Sequence, residues 1–320
     1  MAQGKIPCFH NFYLKFYHLL LNAGTDTFGE FDLILLDEAG DVNPVTAAIF
    51  ELLPGKRKVA VGDQFQNIYS FNGTVNYFET APESAITFSM DKSFRVAEEI
   101  ASRIETFNKK YLSPTSTFRG VPIEDKTIRT TGIITRGNFA LIEHIIECNN
   151  NNIPYTLVRD AKEIFSIPIL LSSIKEKGFI SNPKFRHLQA EVDNWASSSE
   201  LKKKFKSPLT YLAELYPEDM TLQQGVRLIL KHGKTKLWDT YTLALDQKKA
   251  KGGITLATAH SSKGLEFDKV IIADDLNKAV SSAIADKISG DITPEQEEIL
   301  RLYYTACTRC RVQLDNAVHL

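Results

Sequence analysis

The sequence has little cysteine and no long apolar segment, and both shortages exclude classes of protein. Its four cysteines, at positions 8, 148, 307 and 310, are too few and too scattered for a disulfide scaffold. Cys307 and Cys310 form a C-x-x-C pair, but one such pair does not complete a four-ligand zinc site. The longest apolar stretches, such as Ile167 to Leu171, are far too short to span a bilayer. We therefore expect a protein without a membrane segment.

The chain also lacks a charge excess and a recognisable targeting signal. Its 38 basic and 39 acidic residues give a net charge of −1, so any surface that binds nucleic acid must be local. The opening residues, MAQGKIP, contain no apolar core of a signal peptide. We therefore expect an intracellular protein, cytoplasmic or, in a eukaryote, nuclear. A length of 320 residues, of which 43% are hydrophobic, allows one large or two modest domains.

Two short apolar runs lead directly into polar residues. Residues 33–36 (LILL) precede Asp37 and Glu38, and residues 59–61 (VAV) precede Gly62. Such runs are typical of buried parallel strands with functional loops at their carboxyl ends. Paired carboxylates at a strand tip can divide the work of phosphate chemistry, because one can hold Mg²⁺ while the next orients or deprotonates a water. The same pattern also fits an ordinary acidic loop.

The rest of the chain alternates strands with helices, apart from one helical stretch. Helical spacing of apolar residues and short apolar runs predict the other elements. Helices are expected over 45–53, 97–111, 140–148 and 294–306, and strands over 132–134, 155–158, 254–258 and 269–273. Between residues 160 and 245 amphipathic helices dominate, which indicates a helical insertion. Its basic run at 202–206 fits either a solvated helix face or a DNA contact.

A set of motifs then occurs in a fixed order. Residues 62–73, GDQFQNIYSFNG, resemble the third motif of UvrD/Rep-type superfamily I DNA helicases. Residues 258–267, TAHSSKGLEF, are similar to the family motif T-x-H-x-x-K-G-L-E-F at seven of its ten positions. Shorter matches occur at 8–10 (CFH), 93–95 (SFR), 135–138 (TRGN) and 302–309 (LYYTACTR). The chain looks most like the F-box DNA helicase branch of this family.

The resemblance implies an α/β fold of RecA-like P-loop NTPase lobes, with parallel sheets and flanking helices. Residues 1–90 would form a partial first lobe. Residues 91–159 and 246–320 would form the second lobe, which the helical insertion at 160–245 interrupts.

The resemblance also implies roles toward ATP, Mg²⁺ and single-stranded DNA. The catalytic residues would be Glu38, which positions the attacking water, and Arg95 and Arg309, which reach the γ-phosphate. Asp37 would hold the metal, Gln66 would sense the γ-phosphate, and Gly264 and Glu266 would bind the nucleotide. The single-stranded DNA would be bound by His10, Phe71, Arg136, Thr258 and His260.

Several of these residues also have simpler interpretations. Phe71 could belong to the core, His10 could be a surface histidine, and Arg136 could cap a strand end. Packing is the expected role of Tyr303 and Tyr304. The chain also departs from the family at Gly40, where glutamine is usual, and at Asn72, where arginine is usual.

The chain contains no match to the phosphate-binding pattern G-x-x-x-x-G-K-[ST] of such helicases. The tripeptide Gly233, Lys234, Thr235 fails because Leu228 stands where the first glycine belongs. We therefore expect the chain alone to hydrolyse ATP negligibly, and an upstream segment or a partner chain to supply the loop. Two functions stay open: an ATP-dependent 3′-to-5′ helicase or single-strand translocase, and a non-catalytic remnant that binds DNA or protein.

Overall fold

The computed structural model describes residues 10–25, 29–177, 180, 183–246 and 253–320. The chain forms two compact units. The first contains residues 1–122, 279–308 and 319–320, and the second contains residues 123–278 and 309–318. The lobe and insertion boundaries expected from the sequence stay predictions.

Both ends of the chain contain a mixture of helices and strands. In the first part they are α1 (His10–Asn22), β1 (Ile34–Leu36), α2 (Pro44–Leu52), β2 (Lys58–Ala60), β3 (Lys92–Ala97), α3 (Glu98–Tyr111), β4 (Arg119–Val121), β5 (Thr131–Thr135), α4 (Asn138–Asn150) and β6 (Tyr155–Leu157). Helices follow: α5 (Ala161–Ile164), α6 (Ser166–Lys177), α7 (Gln189–Ser197), α8 (Ser199–Lys204), α9 (Pro208–Leu215) and α10 (Met220–Asp246). The last elements are β7 (Ile254–Thr258), β8 (Phe267–Ile272), α11 (Asp274–Ser289), α12 (Pro294–Cys307) and β9 (Cys310–Asp315).

The first unit contains two small parallel sheets, β1 with β2 and β3 with β4. One face of the β1–β2 sheet packs on a core that includes Leu36, Phe50 and Tyr77. The other face is open, with Leu35 65% and Val59 41% exposed. The prediction that both strands are buried is therefore wrong for one face, because no element among the described residues covers it.

The second unit is built on a five-stranded parallel sheet of order β6-β7-β5-β8-β9. Its central strands are apolar on both faces, as parallel strands covered by helices require, and Ile134, Leu256 and Val270 are fully buried. The predicted strands 132–134 and 155–158 are both present, but β7 lies between them. The two units together confirm the expected α/β class with parallel sheets and flanking helices.

Helices α5 to α10 belong to the second unit, and their buried residues join the core that α4 and β7 also line. Gly233 interrupts α10 with a left-handed φ of 75°, so the tripeptide at 233–235 lies at a kink between two helical segments. A phosphate loop instead joins a strand to a helix. Among the residues that the structure describes, no helix combines the length and the apolar composition that crossing a membrane requires.

Candidate functional site

The polar loops that follow β1 and β2 meet at one edge of their sheet. The strands are parallel with Leu36 opposite Ala60, so both carboxyl ends lie at that edge. The Ala39 amide donates to the Val61 carbonyl oxygen at 2.9 Å. A Cβ atom added to Gly40 would lie 2.2 Å from the Asp63 carbonyl oxygen, which is closer than any side chain tolerates. The two loops therefore pack backbone to backbone, and this contact explains why glycine stands at position 40.

The predicted carboxylate pair lies exposed at this edge. Asp37 Oδ1 accepts a hydrogen bond from the Glu38 amide at 2.9 Å. Glu38 has a left-handed backbone, with φ 53° and ψ 35°, which costs a residue with a side chain about 1–2 kcal/mol. The strained position turns the chain into the short 3-10 helix at 39–41, which brings both acids to the surface.

Asp37 fits the metal that the family resemblance implies. Mg²⁺ usually keeps several waters and takes one or two carboxylates together with substrate phosphate oxygens. An exposed carboxylate at a strand tip meets that need. No group of three potential metal-ligating side chains converges within the described part of the chain.

Gln66 lies in the loop after β2, in a short 3-10 helix at 64–66 that Asp63 caps. Asp63 Oδ1 accepts the Phe65 amide at 2.9 Å, and Asp63 Oδ2 accepts Gln66 Nε2 at 2.9 Å. The hydroxyl of Tyr304 also donates to Asp63 Oδ2, at 2.6 Å. Gln66 is thus fixed three residues after Asp63, whose carbonyl oxygen packs against Gly40 of the acid loop.

Three further predicted residues, Phe71, Arg95 and His10, belong to the first unit. Phe71 is 67% exposed, with its ring centroid 5.9 Å from that of Tyr69, so it is not a core residue. Arg95 lies in β3, which pairs with β4. His10 begins α1, and the other members of that predicted motif, Cys8 and Phe9, lie outside the described residues.

In the second unit, two predicted DNA-binding residues lie together at the carboxyl edge of the sheet. Thr258 ends β7 opposite Thr135, the last residue of β5, and Arg136 follows Thr135. Thr258 is buried and bonds through its hydroxyl to Ser261, which forms the turn containing His260. The Arg136 side chain is exposed.

The predicted nucleotide-binding residues of the second unit lie at the opposite, amino edge of the same sheet. Phe267 and Cys310 are paired at the start of β8 and β9, so Glu266 and Arg309 directly precede neighbouring strands. The Phe267 amide donates to the Arg309 carbonyl oxygen at 2.9 Å. Arg309 is only 3% exposed, whereas Glu266 is exposed. Gly264, with a left-handed φ of 83°, forms the turn before Glu266.

Two family models match this chain over the regions that carry these loops. The UvrD/REP helicase N-terminal domain matches residues 9–86, and the UvrD-like helicase C-terminal domain matches residues 171–315. Both models describe domains of UvrD/Rep-type helicases, and together they match most of the chain. The first match covers the acid loop and the Gln66 loop, and the second covers Thr258, His260, Gly264, Glu266 and Arg309. Arg95 and Arg136 lie outside both matches.

Two curated relatives within this helicase family align with most of the chain. An F-box DNA helicase protein 1 from Schizosaccharomyces pombe is 27% identical over 96% of the chain, and an F-box DNA helicase 1 from Gallus gallus is 27% identical over 85%. The chain spans 36% and 26% of the lengths of these relatives.

Sequence reasoning missed three carboxylates that organise these helicase motifs. Asp63 is the first of them, and the only indication of its importance in the sequence was its position after Gly62 in the motif at 62–73. Asp275 accepts the Arg136 and Gly137 amides at 3.0 and 3.1 Å, and burial raises its pKa. Asp268 is buried at the start of β8; burial alone would raise its pKa, but hydrogen bonds, chiefly from Arg129 and Thr130, outweigh it and hold the pKa below its usual range.

Proposed function

We propose that this chain is the motif-bearing part of an ATP-dependent DNA helicase that translocates 3′ to 5′ along single-stranded DNA. The observation that carries the proposal is the close contact between the loop of Asp37 and Glu38 and the loop of Gln66. The two helicase domain matches and the names of the two relatives support the DNA helicase part of this proposal.

The acid loop would provide the hydrolytic chemistry. Bound Mg²⁺ would neutralise charge on the phosphate oxygens. Asp37 would hold that ion, while Glu38 would orient the attacking water and accept its proton. Gln66, which a hydrogen bond to Asp63 fixes in place, would contact the terminal phosphate. Because both loops share backbone contacts, a shift at the phosphate would move the segment that leads to Phe71.

Two arginines would stabilise the charge that builds on the transferring phosphoryl group. A planar guanidinium offers several donors to phosphate oxygens, and such a residue contributes about 10³–10⁵ to the rate in related systems. Arg95 and Arg309 are assigned this role. Glu266, beside Arg309 at the amino edge, would accept hydrogen bonds from the nucleotide ribose, and Gly264 would form the turn that presents it.

Single-stranded DNA would bind through stacking and backbone contacts. Phe71 has an exposed ring, and stacking on one base contributes about 1–3 kcal/mol without sequence preference. Arg136, Thr258 and His260 would follow the strand at the carboxyl edge of the second sheet, and His10 would contact it from the start of α1. The separation of these residues from Glu266 and Arg309, at opposite edges of one sheet, supports distinct DNA and nucleotide sites.

A phosphate loop would have to come from another segment, either an upstream part of a longer polypeptide or a partner chain. The open face of the β1–β2 sheet supports this proposal. Parallel sheets are covered on both faces, and a two-stranded sheet is only marginally stable by itself. A strand and helix that carry the loop would cover Leu35 and Val59 and place the phosphates near Asp37.

The DNA part of the proposal is tested by fluorescence anisotropy with a labelled oligothymidine strand. We expect weak binding that weakens steeply as salt rises, because phosphate contacts release counterions. Phe71→Ala should weaken binding about 5- to 150-fold, the equivalent of one stacked base. Phe88→Ala is the matched control, since Phe88 is also an exposed phenylalanine of the first unit. Equal losses in both variants would contradict the assignment of Phe71.

A further inference from the structure

Helix α12 runs along the segment that follows β2. Arg301 Nε donates to the Asn67 carbonyl oxygen at 2.8 Å, and the Tyr304 hydroxyl donates to Asp63 Oδ2 at 2.6 Å. Residues 301 and 304 are three apart, so they lie on the same side of the helix. The helix therefore holds this segment at two points, one on each side of its short 3-10 helix.

Packing fixes the ring of Tyr304 independently of the hydrogen bond that its hydroxyl donates. The residue is 4% exposed, and its ring meets that of Phe65 edge to face with 5.7 Å between centroids. The ring of Phe118 lies 6.1 Å away in a similar geometry. Because the ring is held on two sides, the hydroxyl is delivered to a defined position beside the Asp63 carboxylate.

The Asp63 carboxylate connects the Tyr304 hydroxyl to the side-chain amide of Gln66 through hydrogen bonds. Its Oδ2 atom accepts from both Tyr304 and Gln66 Nε2, and its Oδ1 atom accepts the Phe65 amide. A carboxylate only accepts hydrogen bonds, so the NH₂ side of the Gln66 amide must face it. The orientation of that amide therefore depends on where the carboxylate is held.

We propose that Tyr304 is a positioning residue for Gln66, acting through the Asp63 carboxylate. The inference rests on the proposed function, which assigns Gln66 to the terminal phosphate. With the hydroxyl present, the carboxylate cannot rotate without losing a short hydrogen bond, and the Gln66 amide stays in one orientation. Without the hydroxyl, the carboxylate and the amide turn more freely, while the ring still fills its place between Phe65 and Phe118.

The test uses the chain as it is, without nucleotide, labelled with ¹⁵N for NMR. The side-chain amide signals of Gln66 are assigned by their loss in Gln66→Asn. In Tyr304→Phe we expect these signals to move and their exchange with solvent to quicken about tenfold, as expected when a hydrogen bond to a charged group is lost. Tyr303→Phe is the control, because Tyr303 is buried on the same helix and its hydroxyl accepts the His319 amide at 3.2 Å.

A second variant, Asp63→Ala, removes the shared acceptor and should produce the same change. Adding Tyr304→Phe to Asp63→Ala should then change little more, because both act through one path. Unmoved Gln66 signals in Tyr304→Phe, or an equal shift in Tyr303→Phe, would overturn the proposal. Since no nucleotide is present, a failure of ATP hydrolysis would count against the proposed function and leave this link standing.

Discussion

At the scale of single residues, Gly40 shows how this chain differs from its family for a local physical reason. The family usually has glutamine there, but the Asp63 carbonyl oxygen leaves no room for a Cβ atom. Gly62 faces the same restriction from the other loop, since its added Cβ would lie 2.8 Å from the Ala39 amide nitrogen. The two glycines together allow the acid loop and the Gln66 loop to touch.

We predict that Gly40→Ala destabilises the protein by about 1–3 kcal/mol, the usual cost of forcing atoms into a packed site. Gly40→Gln, which restores the usual family residue, should cost at least as much. Urea unfolding measures both. Gly29→Ala is the control, because an added Cβ there meets nothing within 4 Å. A stable Gly40→Gln variant would show that the loops can separate without loss.

Asp268 provides a prediction about pH. Its carboxylate accepts the Arg129 and Thr130 amides at 2.9 and 3.0 Å and an Arg311 Nη1 bond at 3.1 Å. Because the pKa is lowered in the folded state, the stability it contributes is present above its unfolded pKa of about 3.9 and is lost as the pH falls through the folded pKa.

Asp268→Asn should therefore lower the free energy of unfolding by about 1–3 kcal/mol at pH 7. Unfolding measured from pH 7 to pH 2 should show the two proteins converging in acid, below about pH 4. Asp32→Asn serves as control, since Asp32 pairs with Lys56 on the surface. A difference between Asp268→Asn and the starting protein that is constant with pH would contradict this account.

At the scale of helices and strands, local signals predicted much of the fold. The last helix was predicted over 294–306, and α12 begins at Pro294, with Thr293 and Gln296 forming a capping box. The strand at 254–258 has the predicted bounds. The order of the strands in the sheet could not be predicted, because nothing in the apolar runs at 132–134 and 155–158 indicates that β7 lies between them. Strands β4 and β9 were missed because neither contains a continuous apolar run.

The open face of the β1–β2 sheet allows a prediction from two neighbouring leucines. Leu35 is 65% exposed, whereas Leu36 points into the core. In the chain alone, Leu35→Ser should change the free energy of unfolding by less than about 0.5 kcal/mol, while Leu36→Ala should cost about 2–5 kcal/mol. Thermal unfolding measures both. An equal loss in the two variants would mean that the face is already covered.

At the scale of the whole molecule, the sequence predicted the family, the α/β class and the acid and glutamine loops. These follow from motifs that are contiguous in the chain. Contacts between distant parts were not predictable, because the spacing of Tyr304 from Asp63 along the chain carries no sign of their hydrogen bond. For the same reason the open face of the β1–β2 sheet was not predicted, since an apolar run predicts a buried strand whether or not another element covers it.

Steady-state ATP hydrolysis with single-stranded DNA tests the central claim most directly. The chain alone should turn over negligibly. Joined to a segment that carries a phosphate loop, it should show turnover that DNA stimulates, that Glu38→Gln abolishes, and that Arg309→Lys lowers nearly as far as Arg309→Ala, because an ammonium does not replace the planar, multi-donor contact. Glu38→Gln should keep its affinity for single-stranded DNA within a few-fold. Turnover by the joined protein that survives Glu38→Gln, or near-normal activity in Arg309→Lys, would contradict the account and favour a remnant that only binds.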